Sequence, residues 1–140
     1  MEILIVDDEE EILTMLKRYL EMEGYEVTTS PNPLEAVELM KKHLYNLVIT
    51  DIRMPGMTGI ELLKTLREIN PLTNVYIITG YSNMSYVVEC LARGAYDYFT
   101  KPFADMDGLL KSISEGKERI QRWKSAIKMG GQFDKTRAHI

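Results

Sequence analysis

The 140-residue chain has a single cysteine, Cys90, so it carries no intramolecular disulfide and no cysteine-based metal cluster. A reactive thiol needs an activating neighbourhood, so Cys90 reads as a small buried hydrophobe in a predicted helix, and a reducing, cytoplasmic setting is the default expectation. No apolar run approaches the ~20 residues of a membrane span, and the N-terminus lacks the basic region of a signal peptide; no membrane association is expected. Internal repeats and low-complexity segments are absent too. What remains, 45% hydrophobic and 27% charged residues, is the composition of a soluble globular domain long enough to bury a continuous core.

The formal net charge of −4 hides an asymmetry. Residues 115–140 hold seven Lys/Arg against three Asp/Glu, and the first 114 hold ten against eighteen. An acidic body attracts phosphate backbones poorly, so no direct nucleic-acid binding by this domain is expected. The basic C-terminal stretch reads as a solvated helix.

Short β-rich runs alternate with longer amphipathic runs five times. The strand candidates are 2–6, 25–29, 46–50, 74–79 and 96–100, several of them continuously apolar, as in strands covered on both faces. Helical patterns lie at 9–22, 33–43, 58–69, 83–93 and 105–129. Asn32-Pro33-Leu34-Glu35 supplies an N-cap, a proline at the first helical position and a capping-box glutamate, and Thr58-Gly59-Ile60-Glu61 repeats the box. Gly24 and Gly94 stand where a left-handed C-cap residue is needed. The pattern predicts a doubly wound α/β fold built on a parallel sheet.

Acidic residues close two of these strands and a lysine follows a third. Asp7 and Asp8 come after Ile3-Leu4-Ile5-Val6, Asp51 after Leu47-Val48-Ile49-Thr50, and Lys101 after Tyr96-Asp97-Tyr98-Phe99-Thr100. In an open parallel sheet, ligands bind beyond the carboxyl ends of the strands where the strand order reverses. Taken alone, Asp7 and Asp8 with Glu9, Glu10 and Glu11 would be an acidic first helical turn; Asp51 at the equivalent end of another strand argues for a site. Three carboxylates gathered there repel by about 4 kcal/mol per pair at ~4 Å and an effective dielectric near 20. A divalent cation would relieve this, and an all-oxygen set without a His or Cys cluster favours Mg²⁺, Mn²⁺ or Ca²⁺ over zinc. Lys101 could clamp an anionic phosphoryl oxygen, Pro102 restrains the turn after it, with a cis Lys-Pro bond as one option, and Thr79 offers a hydroxyl to the same oxygens.

With these motifs assembled, the chain resembles the receiver domains of two-component response regulators. The resemblance rests on Asp7-Asp8, on Asp51-Ile52-Arg53-Met54-Pro55-Gly56-Met57-Thr58-Gly59, on Thr79-Gly80, on Gly94-Ala95-Tyr96-Asp97-Tyr98 and on Lys101-Pro102-Phe103, and it covers residues 1 to about 115. It implies a five-stranded flavodoxin-like or CheY-like (βα)5 fold and a phosphoacceptor role for Asp51, which would take a phosphoryl group from a sensor histidine kinase. Asp7, Asp8, Asp51 and the Arg53 backbone carbonyl would hold Mg²⁺, with Mn²⁺ as an alternative. Lys101 and Thr79 would bind the phosphoryl group, and Thr79 and Tyr98 would form the switch. The implied activity is a signalling switch with self-catalysed phosphoryl transfer and slow autodephosphorylation, not a conventional enzyme. Arg53 and a bulky Tyr81 would shield the aspartyl phosphate from water.

The last predicted helix is longer than a receiver needs. Met106, Ile113, Ile120 and Ile127 recur every seven residues, with Leu109 and Trp123 between them. The expected division is a receiver over 1–115, a helical extension or linker over 116–129 and a flexible tail over 130–140, with Gly130-Gly131 ending the helix and either Ile120, Trp123 and Ile127 projecting beyond the body or the helix folding back on its own domain. Such a helix leads, in regulators of the NtrC type, toward an output domain; a downstream protein is the alternative. Homodimerisation is expected through this helix or through the face of the fourth helix, fifth strand and fifth helix, where Arg93 and Asp97 could contribute. A haloacid-dehalogenase-like phosphohydrolase needs Asp-x-Asp after the first strand, whereas this chain has adjacent aspartates. A dinucleotide- or flavin-binding module needs a phosphate loop that Asp7 to Glu11 would repel. A degenerate receiver that only binds proteins would have no use for Asp8, Asp51, Thr79 and Lys101 together.

Overall fold

The computed structural model describes residues 1–80, 83–101 and 105–136, the stretch 129–136 by its backbone. Strands β1 (Glu2–Val6), β2 (Glu26–Ser30), β3 (Leu47–Asp51), β4 (Asn74–Thr79) and β5 (Asp97–Thr100) alternate with helices α1 (Glu10–Met22), α2 (Pro33–Lys42), α3 (Gly59–Ile69), α4 (Met84–Ala92) and α5 (Met106–Thr136). The five strands are parallel, in the order β2-β1-β3-β4-β5. This is the expected doubly wound α/β fold, with its boundaries within two residues of expectation apart from the end of α5.

The chain divides into two units, Met1–Met106 and Asp107–Ile140. In the first, β1, β3 and β4 are the buried centre, so their runs are apolar without alternation. Leu4, Val6, Val48, Val75 and Ile77 pack with Ala36, Val37 and Met40 of α2, Leu62, Leu63 and Leu66 of α3, and Cys90 of α4. Helix α1 lies against β1 and β2 and buries Leu13, Leu16 and Leu20. Cys90 is 1% exposed and burial pushes its thiol up, away from reactivity, as a small core residue would be.

Local chemistry sets the ends of the helices. Asn32 Oδ1 accepts from Leu34 N at 2.8 Å with Pro33 opening α2. Thr58 Oγ1 accepts from Glu61 N at 3.1 Å, while the Glu61 carboxylate takes the Thr58 hydroxyl at 3.2 Å, a variation on the expected box. Gly24 and Gly94, at φ +91° and +100°, follow α1 and α4 as the left-handed residues those ends require.

The second unit is helical through Thr136. The expected stop at Gly130-Gly131 is not where α5 ends: a glycine costs a helix about 1 kcal/mol but does not break its hydrogen-bond ladder. Leu109, Ser112, Ile113 and Ile120 are buried at helical spacing, whereas Ile127 is 56% exposed. Ile120 therefore belongs to the buried stripe. Trp123 is half-buried, with the Arg119 guanidinium 4.2 Å above its ring.

Candidate functional site

Strand order places the site. From β1 the chain turns outward to β2, while β3 lies on the other side of β1, so the carboxyl ends of β1 and β3 flank the crevice where the winding reverses. Val6 is level with Thr50, so the next residues on each chain, Asp7 and Asp51, come side by side. Thr79, the last residue of β4, is level with Thr100, and Lys101 N donates to Thr79 O at 2.9 Å. Three strand ends thus deliver Asp7, Asp51 and Lys101 to one spot.

The β3–α3 loop is held by two glycines. Gly56 adopts φ +94°, a turn conformation that disfavours any side chain. Gly59 has a different reason: a Cβ there would stand 2.5 Å from Ile52 Cα and 2.6 Å from Asp51 O. Its N–H donates to Ile52 O at 2.7 Å, fastening the start of α3 to the residue after Asp51. Within this loop Arg53 is exposed, and its backbone N–H donates to Asp51 Oδ1 at 3.3 Å.

The cluster is anionic around one cation. Asp7, Asp8, Glu9 and Asp51 each bring a carboxylate oxygen within 4.8 Å of the others, Asp7 and Asp51 buried, Asp8 and Glu9 exposed. The Lys101 ammonium sits 2.7 Å from Asp7 Oδ2, 2.9 Å from Asp51 Oδ2 and 3.2 Å from Glu9 Oε1. Asp7 Oδ1 accepts from Glu9 N at 2.8 Å. Asp7 Oδ2 is buried, and the lysine approaches it off the line of a hydrogen bond, so among the described residues this oxygen has a charge partner but no aligned donor. The two ends of that pair respond differently. Burial raises the Asp7 carboxyl above its ordinary range, the Lys101 and Glu9 N–H contacts offset only part of this, and the Asp51 charge adds to it. Burial works against the Lys101 ammonium, but the Asp7 and Asp51 carboxylates beside it outweigh this and hold the group protonated beyond the usual lysine range.

Above this floor lies an open cavity of about 510 Å³ lined by Asp8, Glu9, Asp51, Arg53, Thr79 and Lys101, among others. Thr79 is buried at its wall; Tyr98, on the neighbouring strand, is half-buried and packs against the core cluster. Of the expected site residues, Asp8, Asp51, Arg53, Thr79 and Lys101 line this cavity and Asp7 lies in contact with Lys101, whereas Tyr98 is not among the lining residues. Tyr81, Pro102 and Phe103 fall outside the described residues. Sequence reasoning took Glu9 only for part of an acidic helix start. Its contact with Lys101 joins residues 92 positions apart, which no local pattern announces.

Chemically, the site offers a buried carboxylate with one ammonium on it, hard oxygen donors for a cation and an opening to solvent. The family model for the response regulator receiver domain matches residues 3–114. The chain is 42% identical over 115 residues to the transcriptional regulatory protein ZraR of Klebsiella oxytoca, which covers 82% of this chain and 26% of that protein. It is 35% identical over 113 residues to sporulation initiation phosphotransferase F of Bacillus subtilis (strain 168), covering 81% and 90% respectively. Among solved structures, a CheY-like receiver domain protein from Methanospirillum hungatei JF-1 superimposes with TM-score 0.82 at 35% identity, covering 86% of this chain and 96% of that one. The beryllofluoride-activated NtrC4 receiver domain dimer does so with TM-score 0.80 at 31% identity, covering 85% and 98%. The chain spans about a quarter of the length of ZraR and 48% of another relative, the regulatory protein YkoG of Bacillus subtilis (strain 168).

Proposed function

The chain belongs to the response regulator receiver domains of two-component systems, and from that premise we propose that Asp51 is its phosphoacceptor, charged by a sensor histidine kinase. The observation that carries this reading is the Lys101 ammonium held 2.9 Å from Asp51 Oδ2 at the foot of an open cavity. An Asp51 oxygen forms the new bond to phosphorus as the bond to the kinase imidazole nitrogen breaks, the nitrogen keeping the electron pair. Lys101 stays charged throughout and turns a donor to the incoming phosphoryl oxygens. The Arg53 N–H on Asp51 Oδ1 and the Lys101 ammonium on Oδ2 hold the carboxylate from both sides.

The donor set suits a hard cation: oxygen ligands only, and a buried Asp7 oxygen lacking an aligned donor. Asp7, Asp8, Asp51 and the Arg53 carbonyl would hold Mg²⁺, or Mn²⁺ in its place. When bound, the ion would supply positive charge to the transferring phosphoryl oxygens.

The readout assigned to this site is a Thr79–Tyr98 switch. Tyr98 pairs with Ile77, two residues before Thr79 on β4, and its half-buried ring would turn inward as the Thr79 hydroxyl moves to the phosphoryl group. Slow self-dephosphorylation, with Arg53 limiting water access, completes the cycle. The output is an attached domain or a separate protein, as the greater length of ZraR and YkoG suggests. Homodimerisation belongs to the same reading: α4 exposes Met84, Val88 and Leu91, and the NtrC4 receiver is described as a dimer.

Borohydride reduction after incubation with a phosphorylated histidine kinase tests the assignment, because it converts an aspartyl phosphate to homoserine. Homoserine at position 51 is expected; homoserine at another aspartate would refute it.

A further inference from the structure

Glu9 occupies the N-cap of α1, with φ −90° and ψ 109°, yet its side chain makes no cap hydrogen bond. Residues with short polar side chains are favoured there because they reach back to the first free N–H groups, and a cap of that kind is worth about 1 kcal/mol. Glu9 instead extends away from the helix, and its Oε1 lies 3.2 Å from Lys101 Nζ. The chain forgoes a helix cap and spends the side chain on the site.

The ammonium has three N–H donors. In this structure it donates to Asp51 Oδ2 at 2.9 Å and to Glu9 Oε1 at 3.2 Å, with Asp7 Oδ2 beside it as a charge partner at 2.7 Å. Asp7 and Asp51 are buried and fixed, while the Glu9 side chain is 60% exposed and stands at the solvent side, on the wall of the cavity through which a phosphoryl group must enter. The partner that yields to an arriving anion is therefore Glu9. Building on the phosphoacceptor reading, we propose that Glu9 is a positioning residue acting through Lys101: its carboxylate takes the place of a phosphoryl oxygen on the ammonium and must be displaced before the anion is bound. Glu9 sets how tightly the unphosphorylated site admits small phosphoryl donors.

The geometry separates two ways Glu9 could act. If its contact with Lys101 matters, shortening the side chain by one methylene removes the effect, since Glu9→Asp keeps the charge but presents the carboxylate to the helix end it now caps. If only negative charge at the cavity mouth matters, Glu9→Asp behaves as the native protein and Glu9→Gln alone differs. In the reaction used as readout, Asp51 forms its bond to the phosphorus of acetyl phosphate as the bond to the acyl oxygen breaks, and acetate leaves with the electron pair.

The experiment measures KM and kcat for acetyl phosphate on the native chain, Glu9→Gln and Glu9→Asp, with the affinity for beryllofluoride by calorimetry as a readout that involves no turnover. Both variants are expected to lower KM and tighten beryllofluoride about threefold to tenfold, the range of a partly exposed ion pair and its charge, with kcat within about twofold. Native values for Glu9→Asp, or unchanged KM and affinity in both variants, would overturn the role of Glu9 while leaving Asp51 as the acceptor. A native protein that takes no phosphoryl group on Asp51 from any donor would overturn the reading beneath it, and with it this proposal.

Discussion

Gly59 and Ile52 meet backbone to backbone, the glycine N–H 2.7 Å from the Ile52 carbonyl, with no room between them for a methyl group. The clash that a side chain would create falls on backbone atoms, including Asp51 O, which cannot rotate away. Gly59→Ala is expected to cost about 3 kcal/mol in urea unfolding and to slow phosphorylation by moving the loop that holds Arg53. Gly24→Ala, at φ +91° but in open space, is the control: about 1–2 kcal/mol lost and phosphorylation unchanged.

Asp7 is expected to make the metal-free protein less stable as pH rises. Its folded carboxyl titrates above its ordinary 3.8, so between that value and the folded one the native state binds more protons than the unfolded chain. Stability then falls with increasing pH across that window. Asp7→Asn should remove this slope and raise metal-free stability at pH 7 by about 0.5–2 kcal/mol, as when a functional-site strain is relieved. Chemical denaturation at several pH values in chelator compares the two; a native profile retained in the variant would contradict the assignment.

Lys101 has the opposite consequence. Its folded pKa lies above the ordinary 10.5, so its contribution is complete at every pH below that value and is lost only as pH rises through the folded one. Lys101→Ala, which leaves Asp7 and Asp51 without their cation, is expected to cost about 2–4 kcal/mol. The difference from the native protein should stay constant between pH 7 and 9. A difference that vanished at pH 9 would mean that the ammonium had lost its proton.

Asp8 is exposed, so Asp8→Asn should alter metal-free stability by less than about 0.5 kcal/mol. Mg²⁺ at a hundred times its Kd should stabilise the native chain by about 2.7 kcal/mol, and this gain should be absent or much reduced in the variant. Thermal melts with and without Mg²⁺ measure both.

These residues also show what the chain discloses before its structure is known. The centre strands are legible because burial on both faces leaves uninterrupted apolar runs; Asp7 and Asp51 are legible because each directly follows or ends such a run, and Lys101 because it follows the β-rich run 96–100 at the sheet edge. Gly24 and Gly94 could be read from the helix ends they follow. The reason for Gly59 could not, since a close approach between segments leaves no periodic trace. Glu9 was hidden by its acidic neighbours Glu10 and Glu11, which look alike in sequence but do not reach Lys101. At α5 the signals misled: Gly130-Gly131 resembles a stop, and Ile120 resembles an unpartnered seam residue. A glycine only weakens a helix, and burial of Ile120 continues the seven-residue spacing from Ile113 while Ile127, one heptad further, is exposed.

Phosphoacceptance by Asp51 is tested most directly by intact-mass spectrometry after incubation with acetyl phosphate, on the native chain and on Asp51→Asn, with Mg²⁺ or with chelator. One added phosphoryl group on the native chain in Mg²⁺, and none in chelator or in the variant, is the expected result. An adduct of the same mass and yield on Asp51→Asn would place the nucleophile elsewhere and contradict the account.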